Sequence, residues 1–202
     1  MTPFLTRQQC EAAAARLLIR YQLHVSTRLA LPVDVDLIGE LMCDLTWDWA
    51  PLEDIDGQVV WARLVPGERR VEMNERYASD LAANEGLDRF TRAHEIGHWE
   101  LHATHPTPHQ LALFPLERSA VEPVFCHGLS NSWLERHADW FAGALPMPAD
   151  CFLTAARGLD LTTQEGIGTL KGICNVSWAA LSIRLRTLCV AHRERDGGIW
   201  RG

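Results

Sequence analysis

Residues His94-Glu95-Ile96-Gly97-His98 decide the reading of this chain. The stretch around them is patterned as a helix, with Phe90, Ala93, Ile96, Gly97 and Leu101 making one side apolar. On a helix, residues i and i+4 lie roughly 40° apart and one turn along, so two imidazoles placed this way can reach one metal ion. Glu95 follows the first of them and faces the open side of such an ion. There it can take a proton from water and pass it to a leaving amine. Two histidines beside a glutamate also occur by chance on exposed helices. Here the apolar flanks make the helix half-buried, and buried imidazoles need polar partners. Gly97 costs roughly 1 kcal/mol of helix stability relative to Ala, and is tolerated where a backbone or a substrate comes close.

A structural zinc takes four protein ligands, whereas a catalytic one takes three and keeps a position for water. A third ligand must therefore come from elsewhere. A His six residues after His98 would fall on Thr104, and the Gly expected before it falls on Leu101, which excludes the metzincin pattern. Glu135-Arg136-His137-Ala138-Asp139 places two carboxylates on one helix face. Glu135 is the expected ligand, and Asp139 the acceptor that orients the ring of His94 or His98. Two alternatives stay open: Ser132-x-x-Glu135 is also a capping box, and His137 is a rival ligand two residues along on a different face. The ion expected for this ligand set is Zn2+.

Other residues have weaker claims. His102 extends the stripe of His94 and His98, but two turns is poor geometry for a third ligand, so it reads as a supporting or structural residue. His105 and His109 read as solvated. Cys126 lies between the two ligand blocks; its thiolate could fill the fourth position and hold the site latent, or it is simply a buried loop cysteine. An oxyanion donor is also expected. Tyr77 is the candidate catalytic phenol, with His127 competing. Trp47 and Trp49 share a strand face and belong either to the core or to a groove that takes an extended peptide.

Outward from the site, Thr6-x-x-Gln9 is a capping box for a helix running to about Leu29, and Asp34 to Cys43 reads as a second helix. Leu45–Leu52, Gln58–Val65 and Arg70–Asn74 read as strands, separated by turn signals at Asp56-Gly57 and Pro66-Gly67. A helix capped by Asp88 reaches about His102, residues 103–131 read as a long loop, and Ser132–Leu145 as a helix. A short helix over Pro148–Ala156 follows, Thr162 caps another, Gly172 breaks the chain, and a last helix spans Ser177–Leu188. The tail from Arg193 reads as frayed. The expected fold class is α+β: a small three-stranded, mainly antiparallel sheet packed on a mostly helical body.

These blocks resemble the ImmA/IrrE family of metallopeptidases. The resemblance lies in Val71-Glu72-Met73-Asn74, in Phe90-Thr91-Arg92-Ala93 leading into His94–His98, in Glu135 to Ala142 with Met147-Pro148, and in Asn175-Val176-Ser177 with Ala180 and Arg184-Leu185. It covers about residues 30–188. It implies a minimal gluzincin-like, zincin-type domain over 1–188, with a catalytic core at 30–156, a C-terminal helical hairpin at 157–188 and a tail at 189–202. It further implies a zinc endopeptidase that cuts a helix-turn-helix transcriptional repressor, relieving repression of a stress, mobile-element or defence operon.

Composition bounds the alternatives. The chain has 202 residues, 47% hydrophobic and 22% charged, which suits one soluble domain and excludes disordered, collagen-like and coiled-coil classes. A formal net charge of −7 excludes a surface that binds polyanions as a whole. Six scattered cysteines without a CxxC pair exclude a disulfide framework and a thiolate zinc finger. With no apolar leader and no run long enough to span a membrane, the expected location is cytoplasmic. A rival reading is a DNA-binding regulator with an inert peptidase domain, or a peptidase switched by nucleic acid. Its support is the helix-turn-helix texture of Val176–Leu185 and the local basicity of Arg184, Arg186, Arg193 and Arg195. Against it, Trp178, Ala179, Leu181 and Ile183 leave few polar side chains to read bases.

Overall fold

Local capping sets where most helices begin. In the computed structural model, which describes residues 4–55, 57–103, 124–127 and 133–200, Thr6 accepts from the Gln9 amide while Gln9 reaches back to the Thr6 amide at 2.8 Å. That capping box starts α1 (Arg7–Val25), whose Cys10, Ala13, Ala14, Leu17 and Leu18 form the buried face. The helix ends at Ser26 in the left-handed conformation, short of the expected Leu29. Asp34 accepts from the Leu37 amide at 3.0 Å and starts α2 (Val35–Cys43).

Strands β1 (Thr46–Ala50), β2 (Val60–Val65) and β3 (Arg70–Asn74) follow, β1 pairing with β3 in parallel and β2 with β3 antiparallel. A fourth strand, β4 (Val124–His127), pairs antiparallel with β2 and gives the order β1-β3-β2-β4. It falls within the stretch read as a loop; four residues are too few to declare an alternation, and only the free edge of β2 makes them a strand. The sheet is small and mainly antiparallel, and the fold is α+β as expected.

After β3 comes a short helix that the sequence did not announce, α3 (Ala78–Ala83), and then α4 (Glu85–His98). Asn84, not Asp88, caps α4 by accepting from the Leu87 amide at 3.2 Å. Beyond His98 the helix widens into a π-turn over Trp99–Ala103. Ala93 and Ile96 of α4 meet Ala62, Leu64, Val71 and Met73 of the sheet and the apolar face of α1 in one core. Helix α5 (Trp133–Ala144) closes that core with Phe141 and Ala142. A Cβ at Gly97 would stand 3.2 Å from Ala138 Cα and 3.2 Å from Phe141 Cβ, so glycine is what lets α5 lie against α4.

Helices α6 (Ala149–Ala156), α7 (Gln164–Cys174) and α8 (Trp178–Thr187) build a second core around Met147, Phe152, Ile167, Leu170, Leu181 and Leu185. The cap of α7 is Thr163 rather than Thr162, and α7 runs through Gly172 to end at a left-handed Asn175. Leu31 and Phe90 touch both cores. Arg184 joins them as well: it is buried, and it donates to Met147 O at 2.9 Å and to Glu11 at 2.9 Å.

The tail corrects an expectation. Strands β5 (His192–Arg193) and β6 (Ile199–Trp200) form a hairpin in place of a frayed end. His192 is fully buried, and the Arg193 amide donates to Leu161 O at 2.8 Å. Among the described residues, no helix is long and apolar enough to cross a membrane.

Helix α4 comes close to the segment that leads into α8 at Gly86, where an added Cβ would lie 2.4 Å from Ser177 N and 2.5 Å from Val176 C. Gly86→Ala is expected to destabilise the chain by about 1–3 kcal/mol in urea titrations, because backbone atoms must move apart. Gly168→Ala, on α7 where nothing lies within 4 Å, should be neutral or stabilising by up to about 1 kcal/mol.

Candidate active site

One turn of α4 separates His94 from His98, and one turn of α5 separates Glu135 from Asp139. The close packing of these helices turns both pairs toward one point. His94 Nε2 lies 3.0 Å from His98 Nε2 and 3.2 Å from Glu135 Oε2, and His98 Nε2 lies 3.2 Å from Glu135 Oε1. All three side chains are buried, and among the described residues they form the group that could hold a metal ion. Zinc bonds of about 2.0–2.2 Å in a tetrahedron put neighbouring ligand atoms about 3.3 Å apart. The observed spacings match the edges of that tetrahedron.

The hydrogen bond to the His94 ring agrees with a cation at this point. Asp139 Oδ1 lies 3.0 Å from His94 Nδ1, and a carboxylate can only accept, so the His94 proton belongs on Nδ1. Its Nε2 then presents a lone pair to the Glu135 oxygen. Burial pushes the Glu135 carboxyl up, but the hydrogen bonds and charge of His94 and His98 outweigh it and hold it well below the usual carboxylate range. Burial pushes His98 down, against the opposing pull of Glu135. One proton on His98 Nε2 can serve the metal-free cluster; a cation can satisfy all three groups at once.

Glu95 is fully buried on α4, next to His94. His102, in the π-turn, meets His98 with Nδ1 to Nδ1 at 3.1 Å, and burial takes its pKa down to about 3. His137, the rival ligand, turns away from the cluster: its Nε2 accepts from the Leu5 amide at 3.1 Å, and its Nδ1 faces His102 Nε2 at 3.4 Å. Sequence reasoning saw the stripe through His102. It missed the link from His102 to His137 and Leu5, which joins three distant segments and has no local signature.

Tyr77 and Trp47 are held by residues outside this cluster. The Tyr77 hydroxyl donates to Asp54 Oδ2 at 2.6 Å, and its ring packs on Trp61 at 5.1 Å between centroids. Cys126 and His127 lie on β4, where the backbone of Cys126 is in register with Ala62; their side chains, His105, His109 and Ser132 lie outside the described residues. Trp47 lies against Gly39 and under Arg92, 5.0 Å from its guanidinium, whereas Trp49 on the edge strand is exposed.

If Asp139 fixes the His94 ring, Asp139→Ala should weaken binding of a divalent ion by about 10–100-fold in a chelator competition, with the helical content unchanged.

Comparison with known proteins agrees with this geometry. No curated protein matches the chain. The family model for the IrrE N-terminal-like domain (Peptidase_M78) matches residues 80–186, a segment that contains α4, α5 and every residue of the cluster. That is more than half of the chain, and the chain belongs to this peptidase family.

Proposed function

We propose that the chain is a zinc-dependent endopeptidase acting on a protein substrate in the cytoplasm. The observation that supports this most directly is the convergence of two buried imidazoles and an anionic carboxylate at tetrahedral spacing, beside a buried glutamate. His94, His98 and Glu135 would hold the ion. Zinc in this position supplies Lewis acidity, which polarises a peptide carbonyl and makes water acidic near neutral pH.

The chain's own residues supply the proton handling. Glu95 accepts a proton at its carboxylate from the attacking water and returns it to the leaving amine nitrogen. Asp139 keeps the His94 proton on Nδ1, which leaves Nε2 as a donor of electrons to the ion. Packing of α4 on the sheet and on α5 excludes bulk water from the ligands and so strengthens their charge interactions. The Tyr77 phenol is held by Asp54, so we do not assign it to the reacting carbonyl.

The substrate we propose is a helix-turn-helix transcriptional repressor, whose cleavage would relieve repression of a stress, mobile-element or defence operon. Support for this comes from the family resemblance. The rival regulator or nucleic-acid-switch reading needs a basic surface at the C-terminal end. There Arg184 is buried against Glu11, and Arg186 is held by Glu194 at 2.8 Å. Cys126 remains the candidate inhibitory ligand, since β4 runs beside α4; if it acts as a latch, Cys126→Ala raises cleavage.

Elemental analysis of untagged protein should give near one zinc per chain for the wild type and a strong loss for Glu135→Ala. Glu95→Gln should keep the zinc and lose cleavage of a co-expressed candidate repressor by about 100-fold or more. Cleavage retained by Glu95→Gln would overturn the mechanism. A wild type without zinc would favour the regulator reading.

A further inference from the structure

A row of imidazoles leads away from the ligand cluster. His98 Nδ1 meets His102 Nδ1 at 3.1 Å, His102 Nε2 meets His137 Nδ1 at 3.4 Å, and His137 Nε2 meets the Leu5 amide at 3.1 Å. The segment that carries Leu5 is seated on α5: the Phe4 ring packs edge-on against Trp133 at 4.8 Å and against His137 at 5.5 Å.

A neutral imidazole has one donor nitrogen and one acceptor nitrogen, so the end of a row fixes every ring in it. The Leu5 amide can only donate. His137 must then accept at Nε2 and donate from Nδ1, and His102 must accept at Nε2 and donate from Nδ1. His98 then accepts at Nδ1 and carries its proton on Nε2, where Glu135 Oε1 accepts it at 3.2 Å. Donation runs inward without conflict, and the order suits the metal-free cluster.

A metal held by His98 Nε2 demands the opposite order. The His98 proton moves to Nδ1, His102 must accept there, and its own proton moves to Nε2. That proton now points at His137 Nδ1–H, so two donors face each other across the longest link of the row. His94 meets no such conflict, because Asp139 accepts from it in either state.

We propose that His102 and His137 are positioning residues of the metal centre, forming a directional relay through which seating of the Leu5 segment opposes metal loading. The proposal rests on His98 being a ligand through Nε2. Each ring keeps one proton in both states, so reversal takes up and releases none. The conflict is relieved when the Leu5–His137 hydrogen bond opens and His137 exchanges its donor for its acceptor. The metal-free and loaded forms therefore differ in how firmly the N-terminal segment is held.

The test is zinc affinity of the full chain, by competition with a chromophoric chelator, alongside the imidazole tautomers read from 15N shifts. His102→Leu, which removes the acceptor for His98 Nδ1–H, should weaken zinc binding by about 10–100-fold. In His102→Gln the side-chain oxygen can accept that proton, and affinity should return to within about threefold of wild type. Leu5→Pro removes the amide donor, and Leu5→Ala keeps it while also losing the side chain. Proline should bind zinc several-fold more tightly than alanine. In the wild type, the His98 proton should move from Nε2 to Nδ1 on loading, a reading that needs no variant to fold. The relay is overturned if His102→Leu binds like the wild type or His102→Gln binds like His102→Leu. Equal affinities for the two Leu5 variants, or His102 and His137 tautomers that do not change on loading, overturn it too. A wild type that takes up no zinc removes the reading of the centre itself. Zinc bound with these quantities unchanged removes the relay alone.

Discussion

The structure depends on one close contact, that of α4 with α5 across Gly97. Any side chain there would meet Ala138 and Phe141 at 3.2 Å. With none, two helices that each carry a pair of polar side chains one turn apart can press those pairs together. Two imidazoles and a carboxylate are then buried within hydrogen-bonding range of one another. Burying such groups costs several kcal/mol unless their charges are matched, and the match is made locally by Glu135, by Asp139 and by the ion they can hold. The remaining architecture keeps that contact in place.

Support comes from both sides. The sheet lies against Ala93 and Ile96, so the face of α4 opposite the solvent is fixed by β2 and β3. From the other direction, α1 lies on α5 and shares the main core with it, although it precedes the 30–156 stretch in which the resemblance locates catalysis. The buried Arg184–Glu11 pair and the backbone contact at Gly86 tie the C-terminal helices to this arrangement. The second core thus braces the ends of α1 and α4, while the ligands themselves come from the first.

Where the cause was local, the sequence was a good guide. Thr6 caps the helix it was expected to cap, and the helices read from Asp34 and from Ser177 begin there, because an oxygen three residues from an orphan amide needs no help from the rest of the chain. The strands before α3 were found by alternation and turn residues, to within a few positions. Expectations failed where distant segments decide. The four residues of β4 became a strand because β2 had an open edge, and the hairpin of β5 and β6 formed because His192 had a place to be buried. Asn84 rather than Asp88 starts α4, and Thr163 rather than Thr162 starts α7, since two oxygens compete and packing chooses between them.

The candidate site divides in the same way. The spacing of His94 and His98, the position of Glu95 between them, and the pairing of Glu135 with Asp139 are set by the pitch of a helix, and the sequence alone determined them. It also determined the family, because those blocks are local patterns. The tertiary structure alone decided which helix faces meet. It turned Glu135 into the cluster and His137 away from it to the Leu5 amide, sent the Tyr77 hydroxyl to Asp54, and linked His102 to a residue on another helix. Helix pitch is a property of neighbours in the chain. The contact of one helix with another depends on what every other segment has already filled.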